Sequence, residues 1–334
     1  MPGILSPGHC NAHGYSRRWR HATSLQKQTR RVSAQAAEPE RLGLGMWAAA
    51  GAMLMFTIMN VVATYLSARH SVVEIAFYRN LVACVPFFSL VFIFGRREIL
   101  VIRSKPYLVA FRAIFGSVTL ITTFAAYSLM PMAETAVLLF TASLFVPILG
   151  VIFLKERVGP YRWSAILVGF LGVALMLGPG VDVNTLGVSL AMAAALLQAF
   201  LGIVLRHLGS TERPETTSFY FFLIGLMITG LALPFVAVAP TIDEIPLLIG
   251  VGLSGAAAQW LYSLSLKHTP AAIVAVFNYT TIVWATLFGW LVWNEWPLPI
   301  VFVGSAVVIA ANALIAWRES RIYRAALRAR TPLG

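Results

Sequence analysis

The chain has 334 residues, of which 59% are hydrophobic and only 11% charged, with a mean hydropathy of +0.79. Such a composition leaves no room for a soluble domain beside a membrane part, and no phosphate-cradling Gly-Lys-Ser/Thr loop is present, which excludes a chain that hydrolyses nucleotide itself. The net charge of +12 comes from basic tails and from one-sided loops, so it speaks for membrane orientation and against nucleic-acid binding.

In chain order, residues 1–42 are basic, with Arg17, Arg18, Arg20, Lys27, Arg30, Arg31 and Arg41 and no acid before Glu38. They read as a disordered cytoplasmic tail, with Met46 an alternative start. Ser16, Arg17 and Arg18 look like a twin-arginine signal, but the next apolar segment begins too far on and is a full span. Ten apolar stretches follow, at 43–67, 74–94, 106–127, 133–154, 161–179, 185–205, 216–239, 245–266, 271–293 and 297–317. Each approaches the ~20 residues that cross a ~30 Å hydrocarbon core. The apolar residues run on without alternating, which predicts helices and not barrel strands. Residues 318–334 form a second basic tail. The expected fold class is therefore an all-α membrane protein of ten transmembrane helices.

Lys and Arg flanking a span resist translocation. With the amino terminus in the cytoplasm, the 25 Lys and Arg fall on the cytoplasmic face except for Arg69, opposite, and Arg79 and Arg112, within spans. Glu74, Glu134, Asp182, Asp243, Glu244 and Glu295 gather on the other face. Both termini are expected inside, in a bacterial plasma (inner) membrane. Cys10 and Cys84 imply no disulfide framework.

An internal repeat divides the spans. Laying 44–78 over 186–220 pairs Leu44 with Leu186, Gly45 with Gly187, Leu54 with Leu196, Val62 with Val204, Leu66 with Leu208, and Phe77-Tyr78 with Phe219-Tyr220. Tyr127-Ser128-Leu129 matches Tyr262-Ser263-Leu264, and after a short shift Pro131 meets Pro270 and Glu156 meets Glu295. Five helices per half is an odd number, so the repeats, 43–180 and 185–317, insert with inverted topology and place a site near the midplane between them. The charge pattern agrees: Glu156 lies among Lys155, Arg157 and Arg162, whereas Glu295 has no basic neighbour.

Pro147, Lys155-Glu156, Gly159, Gly169 and Gly172 together resemble the end of an EamA-type module, a proline ahead of a glutamate that closes one helix, then a glycine-bearing helix. The second half repeats it with Glu295 and Gly304, but Thr286 stands where the proline would be. The resemblance covers 43–317 and points to the drug/metabolite transporter superfamily. It implies a carrier whose cavity is lined by helices one, three, four, six, eight and nine, and it leaves the substrate open between amino acids, metabolites and cofactors.

Polar residues inside spans are the remaining guide, because burying them in lipid is costly. Arg79 reads as half of a structural pair with Glu74 or Glu134 and Arg112 as snorkelling to headgroups; the alternative is that one of them offers positive charge to an anionic or zwitterionic solute. Glu134 is the one candidate proton carrier. Asn60 and Thr57, Gln198, Gln259, and Asn278 with Thr281 fall near the middle of the implied cavity helices, and each is a solute contact or an interhelical hydrogen bond. Phe140, Phe145, Trp260, Tyr262, Tyr279 and Trp284 are bundle packing or apolar walls for an organic solute. Gly116-Ser117 and Gly252, Ser254 and Gly255 are matched weak points, either hinges or close packing.

No His or Cys cluster has metal-ligand spacing, and no cofactor is indicated. His70, His207 and His268 lie at span ends and read as isolated from acids. Asn278-Tyr279-Thr280 has the glycosylation pattern but lies within a span. The expected function is a secondary carrier of a small organic metabolite, working by alternating access among membrane lipids, with a homodimer left open. The alternative is a membrane-embedded enzyme or scaffold without transport.

Overall fold

The computed structural model describes residues 39–103, 106–155, 159–177, 184–208, 212–269 and 271–330. Most of the amino-terminal tail, Cys10, Glu156 and Asp182 lie outside the described residues. Inside hydrocarbon the backbone has no water to bond, so apolar sequence closes its own helical ladder, and no strand occurs among the described residues. The spans are Pro39–Leu66, Val72–Phe92, Pro106–Leu129, Met132–Phe140 with Ala142–Leu154, Pro160–Met176, Thr185–Leu208, Pro214–Val236, Ile245–His268, Ala271–Asn278 with Thr280–Trp293, and Pro299–Arg330. Among the described residues, eight helices are long and apolar enough to cross a membrane, while Pro160–Met176 and Pro299–Ile315 are shorter apolar ones. The first helix begins within the tail expected to lack structure, and the last continues through the second tail to Arg330.

Helix ends repeat between the halves. Lys155 and Asn294 both close a helix in the left-handed conformation, at φ 52 and 55, and they are equivalent positions in the register that pairs Glu156 with Glu295. Pro160 and Pro299, also equivalent, open the next helix, where a missing N–H costs nothing. Packing follows the same symmetry. Span one lies on span eight as span six lies on span three, span four on six as nine on one, and span three on seven as eight on two. Spans two and seven, four and nine, and five and ten pack on their own counterparts. This exchange is what a pseudo-two-fold axis between inverted five-helix repeats requires.

Spans five and ten meet through glycine. A Cβ on Gly304 would stand 2.6 Å from the Gly172 carbonyl oxygen, and one on Gly172 3.0 Å from the Gly304 oxygen, so the two backbones touch directly. Small residues at such crossings let helices gain dispersion contacts where no hydrophobic force separates protein from lipid.

Spans four and nine, expected to be continuous, each break near the middle. Thr141 N–H bonds Leu138 O at 3.0 Å and Tyr279 N–H bonds Val276 O at 3.2 Å, three-residue turns inserted into the four-residue ladder. Pro147 sits buried within Ala142–Leu154. Because span nine breaks with Thr286 at the equivalent position, the proline is not what the break requires.

The two ends of the bundle are tied differently. At one, Arg213 pairs with Glu98, Arg103 N–H donates to Glu212 Oε2 at 3.0 Å, and the Tyr220 hydroxyl donates to Leu100 O at 2.9 Å. The Arg213 hydrogen bond and charge hold the Glu98 carboxyl below its ordinary range. At the other, Arg69 Nη1 lies 3.2 Å from Glu244 Oε1. The Thr241 backbone N–H and hydroxyl, with His70 and Arg69, hold Glu244 down at about 2.

Candidate functional site

Spans one, three, four and nine converge at Val61, Tyr127, Met132, Ala136 and Ala285. Asn60, next to Val61, is buried with its amide close enough to the Tyr127 hydroxyl to act on it, while its Oδ1 has no partner. On span nine, Asn278, Thr281 and Trp284 follow at three-residue steps along one face. Asn278 Oδ1 and the Trp284 indole N–H are both buried and unpaired. Phe140 stacks on Tyr279 with ring centroids 5.2 Å apart and planes 19° apart, joining the two helix breaks. In the register that pairs Pro131 with Pro270 these rings are equivalent residues, so the pseudo-two-fold axis runs between them. An unpaired buried polar atom costs about 1–3 kcal/mol, and three of them on spans one and nine, which pack together, are groups whose bonding a ligand can complete.

The other candidates are drawn elsewhere. The Thr57 hydroxyl donates to Met53 O at 2.9 Å, so its donor is used within the helix. Gln259 Nε2 reaches Ser218 Oγ on span seven at 3.5 Å. Tyr262 stands edge-on to Phe56, 6.4 Å between centroids. Gln198 and Trp260 are exposed, turned away from the bundle. Phe145 packs on Phe170 at 5.3 Å and joins Phe200 in an apolar cluster on the Glu98 side of the break.

From the opposite end, two adjoining cavities reach inward. One, of about 360 Å³, is lined by Glu134, Ala285, Thr286, Gly289, Asn294 and Glu295. The second, of about 390 Å³, is lined by Thr64, Ser67, Tyr127, Met132, Trp293 and Glu295. They share Pro131, Met132 and Glu295, and the second reaches Tyr127, whose hydroxyl the Asn60 amide acts on. Partial burial raises the Glu295 carboxyl above its ordinary value.

The intramembrane charges depart from expectation. Arg79 pairs with neither Glu74 nor Glu134: its Nη1 donates to Asn80 Oδ1 at 2.9 Å, and its guanidinium lies 4.8 Å from the Phe222 ring centroid. Arg112 does not snorkel; it is buried with its guanidinium 4.3 Å from the Phe221 centroid. His70, read as isolated from acids, stands between Glu74 Oε1 at 3.1 Å and Glu244 Oε2 at 3.2 Å, distances of ion pairs set off the line of a hydrogen bond. Glu74 also accepts from Val238 N–H at 3.2 Å, so this carboxylate is used in joining spans two, seven and eight.

Spans three and eight run unbroken through Gly116 and Gly252. A Cβ on Gly116 would meet Phe221 at 2.8 Å, and one on Gly255 would meet Met59 Sδ at 3.0 Å, so both glycines lie at close helix contacts. Sequence reasoning missed Tyr127 and Asn80. The Tyr127–Tyr262 match between the halves was a signal for the first; Asn80 carried none beyond its neighbour Arg79.

The EamA-like transporter family matches residues 43–178 and 185–317, one copy in each half. A riboflavin transporter of Rhizobium johnstonii is 28% identical over 86% of this chain and 95% of its own length. A pseudopaline exporter of Pseudomonas aeruginosa is 25% identical over 80% of this chain and 94% of its own. A solved structure with 16% identity superposes with a TM-score of 0.58 over 83% of this chain and 98% of that one, which carries the fold alone. Two family copies, ten apolar helices and an unsatisfied polar centre agree: the chain belongs to the EamA-like transporter family and is a membrane transporter of small metabolites, not an enzyme.

Proposed function

We propose that the chain carries a small organic solute across the bacterial plasma membrane by alternating access, with both termini cytoplasmic and the solute held between spans one and nine. Two observations carry this reading: the Phe140–Tyr279 stack at the paired helix breaks, and the unpaired Asn60 Oδ1, Asn278 Oδ1 and Trp284 Nε1 on spans one and nine, which pack together at Val61 and Ala285. Rings offer an apolar face to an organic solute, and the amide oxygens and indole N–H supply acceptors and a donor. Breaks at equivalent places in both halves give each repeat a point at which to flex against the other. The Glu295 cavities, leading to Tyr127, serve as the outer entrance, and Glu134 with Glu295 lines it.

Purified protein in liposomes should show saturable counterflow with at least one of riboflavin, an amino acid, a nucleoside or an organic anion. No counterflow above empty liposomes across that panel would overturn the carrier reading.

Topology is tested separately. In a background lacking Cys10 and Cys84, Asp243→Cys should react with an impermeant thiol reagent from outside and Arg213→Cys should not, since basic residues hold their loops inside. The reverse pattern would overturn the orientation.

A further inference from the structure

We propose that Arg79 and Arg112 form one oxyanion site in the middle of the bundle, receiving a carboxylate or phosphate group of the carried solute. Only the source of the anion rests on the carrier reading; the recognition chemistry stands on the residues themselves. Arg79 comes from span two and Arg112 from span three, yet both guanidinium groups lie on the same ring, 5.2 and 4.3 Å from the Phe221 centroid. Both side chains are buried. Among the described residues no carboxylate pairs with either. An uncompensated buried charge is strongly unfavourable, and ring faces offset only part of that cost.

The cluster holds donors without acceptors. Asn80 Oδ1 is taken by Arg79 Nη1. Arg79 Nε, Arg112 Nε, Arg112 Nη1 and Asn80 Nδ2 are all buried nitrogens with no partner. A planar oxyanion accepts several such bonds at once, and the guanidinium fork matches its geometry. A neutral carbonyl could accept some of these bonds but would leave the two buried charges uncompensated, and a cationic group would repel them.

Three glycines from three spans fit around the donors. A Cβ on Gly116 would stand 3.2 Å from Arg112 Nη1, on Gly225 2.8 Å from Asn80 Nδ2, and on Gly255 3.0 Å from Arg79 Nε. The repeat explains the asymmetry. In the register that pairs Phe77-Tyr78 with Phe219-Tyr220, Arg79 and Asn80 are the counterparts of Phe221 and Phe222. The first repeat supplies the donors and the second, at the same positions, supplies the ring faces that cover them.

The test is equilibrium binding by the purified, detergent-solubilised chain, which needs no transport. Sodium formate, sodium phosphate, sodium benzoate and neutral benzamide are titrated against sodium chloride at constant ionic strength, and thermal unfolding is followed. Formate, benzoate or phosphate should raise the melting temperature saturably where chloride and benzamide do not. Apparent affinity should fall at least tenfold in Arg79→Gln and Arg112→Gln, and also in Arg112→Lys, which keeps the charge and loses the fork. Benzoate binding more tightly than formate assigns the site to a group carried on an organic solute. Tighter binding of formate or phosphate overturns that assignment in favour of a free anion. If the Gln variants do not fold, Arg79→Lys and Arg112→Lys carry the comparison. No saturable oxyanion response, or an equal response in all variants, overturns the site. No counterflow by the unsubstituted chain with oxyanion binding intact is a failure of the carrier reading alone, whereas counterflow with no saturable oxyanion response is a failure of this site alone.

Discussion

Gly304→Val should abolish the monodisperse folded protein, whereas Gly202→Ala should leave it unchanged or slightly more stable. At Gly304 the new Cβ would stand 2.6 Å from Gly172 O, 2.9 Å from Met176 Cβ and 3.3 Å from Met176 N. Two of those three atoms are backbone, so no rotamer change relieves them and spans five and ten must separate. Overpacking costs about 1–3 kcal/mol where side chains can give; here a whole helix interface must give, so the loss is expected to exceed that range. At Gly202 nothing lies within 4 Å, and alanine gains up to about 1 kcal/mol in helix propensity. Size-exclusion profiles and melting temperatures at equal expression check both. Equal yields for the two variants would show that spans five and ten do not approach as closely as Gly172 and Gly304 require.

Asn278→Leu and Asn60→Leu should weaken solute binding by ~5 to 150 fold, the equivalent of about 1 to 3 kcal/mol for a buried group left unpaired. The two differ in stability, and that difference identifies the role. Asn278 Oδ1 is buried without a partner, so leucine removes an unsatisfied acceptor and should keep or raise the melting temperature. The Asn60 amide acts on the buried Tyr127 hydroxyl, so leucine removes that hydroxyl's polar neighbour and should lower the melting temperature. A residue that merely joins helices would lose stability and leave affinity alone. The solute identified by counterflow should also protect Asn278→Cys from alkylation. Unchanged counterflow affinity in both leucine variants, with no protection, would move the site away from spans one and nine.

The sites divide according to how far their determinants extend along the chain. Helix two, expected at 74–94, is Val72–Phe92, and helix eight, expected at 245–266, is Ile245–His268. Such agreement is possible because a span is decided locally: about 20 apolar residues in hydrocarbon have one way to satisfy their own backbone. The repeat was legible for a related reason, since equivalent positions kept residue types such as Tyr127 and Tyr262. Asn60, Asn278 and Trp284 were nameable as polar or amphipathic groups at depth. Their unpaired atoms were not, because pairing depends on what the neighbouring helices offer.

What the sequence by itself determined is the set of ten helices, their division into inverted halves and the transporter family, all written in hydropathy, helix-ending residues and repeat register. The tertiary structure alone decided that spans four and nine break at Thr141 and Tyr279 and that Phe140 and Tyr279 stack across the axis. It alone brought Arg79 and Arg112 onto Phe221 and set His70 between Glu74 and Glu244. The physical reason is one of range. Helix formation depends on residues three and four apart, whereas these meetings depend on the rotation of each helix about its axis, which is fixed by where its glycines let a distant helix approach.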